Sequence, residues 1–374
     1  MRIGIDARFY GPSGKGLGRY VSELLTELER IDRENEYLVF LRDDNFGEYR
    51  PQSPNFRKVR AEFPWYGWRE QLVMPFWLER FDLDLMHFTH FNVPFLYRRP
   101  FVVTIHDLIL LSHPTPRATT LGPLAYRLKY LAYRAVIRQA VRKARQVITV
   151  SEYSRGEILK NFPFLTPDRV TVTHEAGRKL PEPEEDIPIP KPKGPFALYV
   201  GSAYPHKNLD RLIESFADFR KRGFGEWSLV LIGGNDYFYR RLQAETERKG
   251  LDGNVVFYGR ATDPELAILY RLADFHVFPS LCEGFGLPPL EAMHAGLPVT
   301  AAAVSCLPEI LEDAADWFSP DDRRDMTGAL VRMASDPGLR ERLIERGQRQ
   351  VAKYSWARCA EQTLETYRET IRNA

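Results

Sequence analysis

Short runs of apolar and β-branched residues recur along the chain, each followed by a longer stretch with apolar residues three or four apart. The runs at residues 2–6, 37–41, 101–105, 146–151 and 170–173 read as strands, as do those at 196–201, 228–234, 255–261 and 275–279. Most are apolar throughout rather than alternating, the signature of strands covered on both faces. Segments such as 19–28, 210–221 and 266–273 carry helical spacing between them. This alternation predicts an α/β protein on parallel sheets, opening with a Rossmann-like unit over residues 2–28. Residues 69–79, Arg-Glu-Gln-Leu-Val-Met-Pro-Phe-Trp-Leu-Glu, read as one helix whose aromatic face packs into a core.

The pattern breaks between residues 179 and 195, where prolines at 181, 183, 188, 190, 192 and 195 stand among glutamates and lysines. Such a stretch is an extended, semi-rigid linker. The expected organisation is an N-terminal domain over 1–178, the linker over 179–195, a second α/β domain over 196–355 and a closing helix over 356–374.

Composition narrows the function classes. With 374 residues, 44% hydrophobic and 27% charged, the chain is long enough for two ordinary folded domains. A net charge of +2 implies no nucleic-acid partner. The three cysteines, at 282, 306 and 359, have no metal-ligand spacing and fit a reducing cytoplasm. Met1-Arg-Ile-Gly-Ile-Asp6 reads as a strand rather than a signal peptide, and no apolar run reaches the length of a membrane span.

The densest chemistry lies at Pro279-Ser-Leu-Cys-Glu-Gly-Phe-Gly-Leu-Pro-Pro-Leu-Glu-Ala-Met-His-Ala-Gly-Leu-Pro-Val299. Glycines at 284 and 286 let backbone approach a ligand, and Pro288-Pro289 suits a first helical turn. Amides at Phe285, Gly286 and Leu287 would then face outward from a helix N-terminus, where anions bind. Glu283 and Glu291 bracket the turn. They read either as a turn cap and a helix-dipole partner or as acceptors for vicinal hydroxyls on either side of a phosphate.

The ordered set Glu-Gly-Phe-Gly-Leu-Pro-x-x-Glu-Ala-Met-x-x-Gly-x-Pro-Val resembles the E-x7-E signature of retaining GT-B glycosyltransferases of family GT4. The resemblance spans essentially the whole chain and is most specific between Gly201 and Glu309. It implies the GT-B fold, two Rossmann-like domains facing a cleft, with the last helix crossing back to the first domain. It implies transfer of a hexose from a nucleoside diphosphate sugar to a hydroxyl with retention, no cofactor and no metal. The Gly-x-Gly-Arg-Tyr loop and Lys-Asn-Leu look like those of bacterial mannosyltransferases, which points to GDP-mannose before UDP-hexoses, and to a glycan or lipid-linked acceptor in cell-surface polysaccharide synthesis.

Site residues follow from the same match. Lys207, after the strand ending at Gly201, holds the diphosphate; as an exposed lysine it should bury little. Ser202 stands where relatives carry an arginine, leaving His206 or Arg211 to supply further charge. Glu283 takes the sugar hydroxyls and Glu291 the ribose diol, while Phe285, Gly286 and Leu287 meet phosphate. The strand end at Arg260 meets the base. Gly16 and Gly18 match the loop near donor phosphate and acceptor, although a structural turn explains that loop as well. His106, in His106-Asp107 after a strand, matches a histidine beside the donor sugar; a histidine satisfied at a strand end is the other reading.

Two further features lie outside that match. Asp82-x-Asp84 resembles the metal triplet of the GT-A fold, but its place at a helix-to-strand junction in a GT-B pattern makes it a chance match. From Leu108 to Ser151 the chain has no acidic residue, while basic residues interleave with leucines and tyrosines over 124–145. That is either a solvated helix face or a peripheral contact with anionic membrane, on the inner face of a cytoplasmic membrane. A nucleotide-sugar epimerase on the same fold, with His106 or Glu283 as base, and a non-catalytic nucleotide-sugar-binding subunit are the alternatives.

Overall fold

The computed structural model describes residues 1–115, 122–181, 189–251 and 254–372. The chain divides into two compact units, Met1–Glu175 with Ser355–Ala374, and Ala176–Tyr354. The division falls at 175, against 178 in the sequence reading, and residues 182–188 of the expected linker lie outside the described ones.

The first unit holds a seven-stranded sheet: β1 (Arg2–Asp6), β2 (Glu36–Leu41), β3 (Phe56–Arg60), β4 (Leu85–Phe88), β5 (Phe101–Ile105), β6 (Gln146–Thr149) and β7 (Val170–Val172), in the order β3-β2-β1-β4-β5-β6-β7. Every pairing is parallel. Ile3, Ile5, Val39, Phe40, Val102 and Val103 are fully buried, as apolar-throughout strands require when helices cover both faces. The helix Lys15–Ile31 turns Tyr20, Val21, Leu24, Leu25 and Leu28 inward, one stripe at helical spacing.

The last helix, Trp356–Arg372, belongs to this unit and packs on Lys15–Ile31. A buried polar chain fastens it. Tyr367 Oη lies 2.6 Å from His87 Nδ1, His87 Nε2 lies 2.8 Å from Thr104 Oγ1, and Tyr20 Oη lies 3.1 Å from that same hydroxyl.

The second unit repeats the plan with β8 (Phe196–Val200), β9 (Ser228–Ile232), β10 (Val255–Gly259), β11 (Phe275–Phe278), β12 (Val299–Ala302) and β13 (Ala315–Phe318), in the order β10-β9-β8-β11-β12-β13. All pairings are again parallel. Strand order reverses between β8 and β11, and open α/β sheets bind ligands beyond the carboxyl ends of strands at such a switch point.

The expected aromatic helix is broken. It forms two short helices, Trp68–Leu72 and Met74–Leu78, followed by a 3-10 turn at Glu79–Phe81. Pro75 has no N–H to continue a ladder from the first piece. Trp77 packs against the core as expected, but Trp68 is 69% exposed and Phe76 58% exposed. The break turns those two rings away from the interior.

Candidate functional site

The loops after β8 and β11 are laced together. Gly201 closes β8, and Tyr199 Oη donates to the Ser202 carbonyl while Tyr239 Oη donates to that of Gly201. A side chain at Gly201 would strike Tyr199 Oη at 2.5 Å, so glycine is a packing requirement there. The following turn, Pro205–Lys207, ends at Asn208, whose φ of 59° is left-handed and suits asparagine. Asn208 Nδ2 donates to the carbonyls of Pro279 and Pro320, and the Leu281 amide donates to that of His206 at 2.7 Å. The bonds to Pro279 and from Leu281 bring the β8 turn to the β11 turn.

Lys207 and Glu283 consequently meet. Lys207 Nζ is 2.6 Å from Glu283 Oε1, with side chains 17% and 11% exposed. The sequence reading placed Lys207 in solvent; strand adjacency instead carries it beneath the β11 loop, against the face of Phe278. The Glu283 amide donates to Ser305 Oγ at 3.0 Å, which fixes the backbone at the carboxylate. The free protein therefore balances its lysine with a carboxylate. A diphosphate taking the ammonium would release Glu283 to accept hydroxyls.

Beside this pair the helix Leu287–His294 begins. Gly286 caps it at φ 100°, and no side chain fills the cap. A Cβ there would come within 2.9 Å of Leu307 Cδ2, so conformation and space both demand glycine. Pro288 and Pro289 carry no N–H, so amides from this end can come only from residues 285–287. Phe285 is 4% exposed, its ring edge-on to Tyr354. Glu291, in the second turn, is 3% exposed, with Tyr270 Oη 3.5 Å from Oε2.

Arg260 follows β10, its Nε 3.4 Å from where a Cβ on Gly234 would sit. It is exposed and has no ion-pair partner among the described residues. Arg211 is committed elsewhere: it donates to the Pro320 carbonyl and pairs with Asp321 at 2.9 Å. The His206 ring lies parallel to Tyr204 at 6.0 Å.

His106, Gly16 and Gly18 belong to the first unit. His106 Nδ1 is 3.0 Å from Glu175 Oε1, and Nε2 is 3.1 Å from the Thr89 carbonyl oxygen. Both neighbours offer acceptor oxygens, and the tautomer decides which ring nitrogen donates. The edge of Tyr20 completes the clamp at 4.6 Å. Asp107 accepts from the Ile109 amide at 2.9 Å. The two loop glycines differ sharply. A Cβ on Gly18 would lie 2.0 Å from the Gly11 carbonyl oxygen, whereas one on Gly16 meets nothing within 4 Å.

Sequence reasoning missed Glu175, Thr89 and Ser305, which reach their partners only through strand order. It also missed a buried ion cluster after β1. Arg8, 1% exposed, sets Nη2 at 2.7 Å from both Asp6 Oδ2 and Glu70 Oε1. Of the aspartates weighed for metal, Asp82 pairs with Arg99 at 2.8 Å and Asp84 accepts from the Arg2 amide. Among the described residues no group of three or more His, Cys, Asp and Glu is placed to hold a metal, and no helix is long and apolar enough to cross a membrane.

Comparison with known proteins gives one direction throughout. The family model described as Glycosyltransferase Family 4 matches residues 14–176, and that described as Glycosyl transferases group 1 matches 182–350. O-antigen chain mannosyltransferase B of Escherichia coli is 29% identical, over 94% of this chain and 96% of that one. O-antigen chain mannosyltransferase RfbU of Salmonella typhimurium is 26% identical, over 92% and 94%. Sucrose-phosphate synthase from Thermosynechococcus elongatus superposes with a TM-score of 0.80 over 100% of both chains at 22% identity, a likeness of fold.

Proposed function

The chain belongs to the group 1 glycosyltransferases of family 4, with the GT-B fold, and from that premise we propose that it transfers mannose from a nucleoside diphosphate sugar, GDP-mannose, to a glycan or lipid-linked hydroxyl. The observation that carries the proposal is the Lys207–Glu283 pair at the β8–β11 switch point, beside an uncapped helix N-terminus and the buried Glu291. Lys207 and the amides at 285–287 receive the diphosphate, Glu283 the sugar hydroxyls and Glu291 the ribose. Preorganised positive charge at the leaving group is usually the largest catalytic contribution. It supplies here what a metal supplies elsewhere, and the reaction proceeds with retention and survives a chelator. Polysaccharide synthesis as the setting is supported by the names of the full-length relatives.

A thermal-shift series with GDP-mannose, GDP-glucose, UDP-glucose and UDP-galactose tests the donor. A ligand at about 100 times its dissociation constant adds roughly 2.7 kcal/mol. Stabilisation by UDP sugars alone refutes the GDP assignment, and stabilisation by none refutes the donor site.

The basic helix Pro123–Lys143 supports a peripheral membrane contact. Its leucines 124, 128 and 131 are 73%, 60% and 58% exposed on one stripe, while Tyr126, Tyr130 and Tyr133 are half-buried and Tyr133 packs against the core. Residues 116–121, just before it, lie outside the described ones. The helix seats its leucines in an anionic leaflet, each neighbouring cation adding about 1 kcal/mol.

A further inference from the structure

A cavity of about 1030 Å³ opens in the first unit, at the amino ends of β5, β6 and β7. It lies at the opposite end of β5 from His106, roughly 15 Å of strand away. Seven cations and two carboxylates line it. The last turns of the helices Pro123–Lys143 and Trp356–Arg372 both reach the cavity, and helix C-termini favour cations. That accounts for Arg142, Lys143 and Arg372 but not for Arg98, Arg99 and Arg145, which stand on loops, nor for Arg169, which ends the 3-10 turn Pro167–Arg169.

Some of these charges are used internally. Arg99 pairs with Asp82 and Arg372 with Glu365, Arg169 donates to the Ala144 carbonyl, and Lys143 donates to that of Phe95. Arg98, Arg142 and Arg145 have no side-chain partner among the described residues, although all three line the cavity. Partial burial and the nearby Arg98 press the Lys143 ammonium below its ordinary value. Like charges gathered on a concave surface in excess of their counter-charges, here seven against two, are unfavourable by themselves and raise the local concentration of anions. Guanidinium groups are the donors that fit phosphate oxygens in pairs.

We infer that this cavity is a binding site for a phosphate-bearing anion, read by Arg98, Arg142 and Arg145. The volume exceeds what one phosphate fills, so the occupant carries two phosphates or a phosphate with an organic headgroup. The site is separate from the diphosphate site proposed at Lys207 and does not depend on it.

The test uses the full chain and two probes. Inorganic pyrophosphate is titrated calorimetrically in a Lys207→Ala background, which removes the second unit's lysine from the measurement. Flotation with phosphatidylglycerol–phosphatidylcholine vesicles, against phosphatidylcholine alone, probes a lipid source. Arg98→Ala/Arg142→Ala/Arg145→Ala should weaken binding roughly 100-fold, about fivefold for each charge. Arg50→Ala/Arg222→Ala/Arg271→Ala, three exposed arginines with the same change in net charge, should leave it within twofold. Because the cavity arginines have no partners to lose, Tm should hold or rise in the first triple variant.

Vesicle binding that is lost in the cavity variant, without pyrophosphate binding, identifies a lipid headgroup, and pyrophosphate binding that is lost there, with vesicle binding unchanged, identifies a soluble phosphate. The inference is overturned if neither probe binds, if the cavity variant binds like the parent, or if the control triple loses as much.

Discussion

Replacing Lys207 with alanine should damage stability and catalysis through separable routes. In the free protein the substitution leaves Glu283, 11% exposed on its side chain, without its 2.6 Å partner. Stranding a largely buried charge costs up to about 3–5 kcal/mol when burial is complete. With both side chains retaining some exposure, about 2 kcal/mol is the appropriate scale. The second unit spans Ala176–Tyr354, a size at which each kcal/mol moves Tm by about 2–4 °C, so Tm should fall by about 4–8 °C. In turnover, the ammonium matters most as the leaving diphosphate gains charge, so kcat should fall about 100-fold, near 2.7 kcal/mol. Adding Glu283→Gln removes the stranded charge, so the double variant should recover most of the lost Tm but none of the lost kcat. Calorimetry and steady-state kinetics at saturating donor read the two routes independently. An unchanged Tm in the single variant refutes the stabilising pair. An unchanged kcat with a raised KM makes Lys207 a docking residue only.

Glu291→Ala should weaken nucleoside diphosphate binding about tenfold by calorimetry, the scale of one charge-assisted hydrogen bond; equal affinity refutes the ribose role. Gly18→Ala should destabilise the first unit by more than about 1 kcal/mol, because its Cβ would lie 2.0 Å from a carbonyl oxygen, while Gly16→Ala leaves Tm unchanged and any effect appears in activity. A large Tm loss at Gly16 overturns that contrast. Burial pushes His87 and His276 down to about 3, with the nearby His106 adding to the effect at His87. Unfolded histidines titrate near 6.5, so between about 6.5 and 3 the unfolded state binds more protons and stability drops as the pH is lowered. Burial pushes His90 of the first unit down to about 3 as well, so the first unit should lose on the order of 4 kcal/mol and the second about 2 kcal/mol between pH 7.5 and pH 5, and urea midpoints that do not move would refute it.

The parallel sheets were legible because their strands are apolar throughout, and that pattern survives without knowledge of neighbours. The β11 turn was legible because its glycines, prolines and glutamates lie within one short segment. What the sequence concealed depends on strand order. Lys207 and Glu283 are 76 residues apart and meet only because β8 lies beside β11. His106 and Glu175 meet through the sheet of the first unit. The aromatic segment at 69–79 carried its own break in Pro75, but the outward rotation of Trp68 and Phe76 follows from packing that no local rule supplies.

The attachment of the last helix has a consequence for how the chain is made. Tyr367 completes the hydrogen bonding of His87, and Trp356 lies against Tyr20, so the first unit draws part of its interior from the final twenty residues of the chain. Synthesis runs from the N-terminus, and domains generally fold as units as they emerge. Here the first unit waits, with His87 and the inner face of Lys15–Ile31 uncovered, until the whole second unit has been translated. Fragments ending near Glu175 should aggregate for that reason, and a nonsense codon just before Trp356 should inactivate the first unit although it lies after the whole of the second.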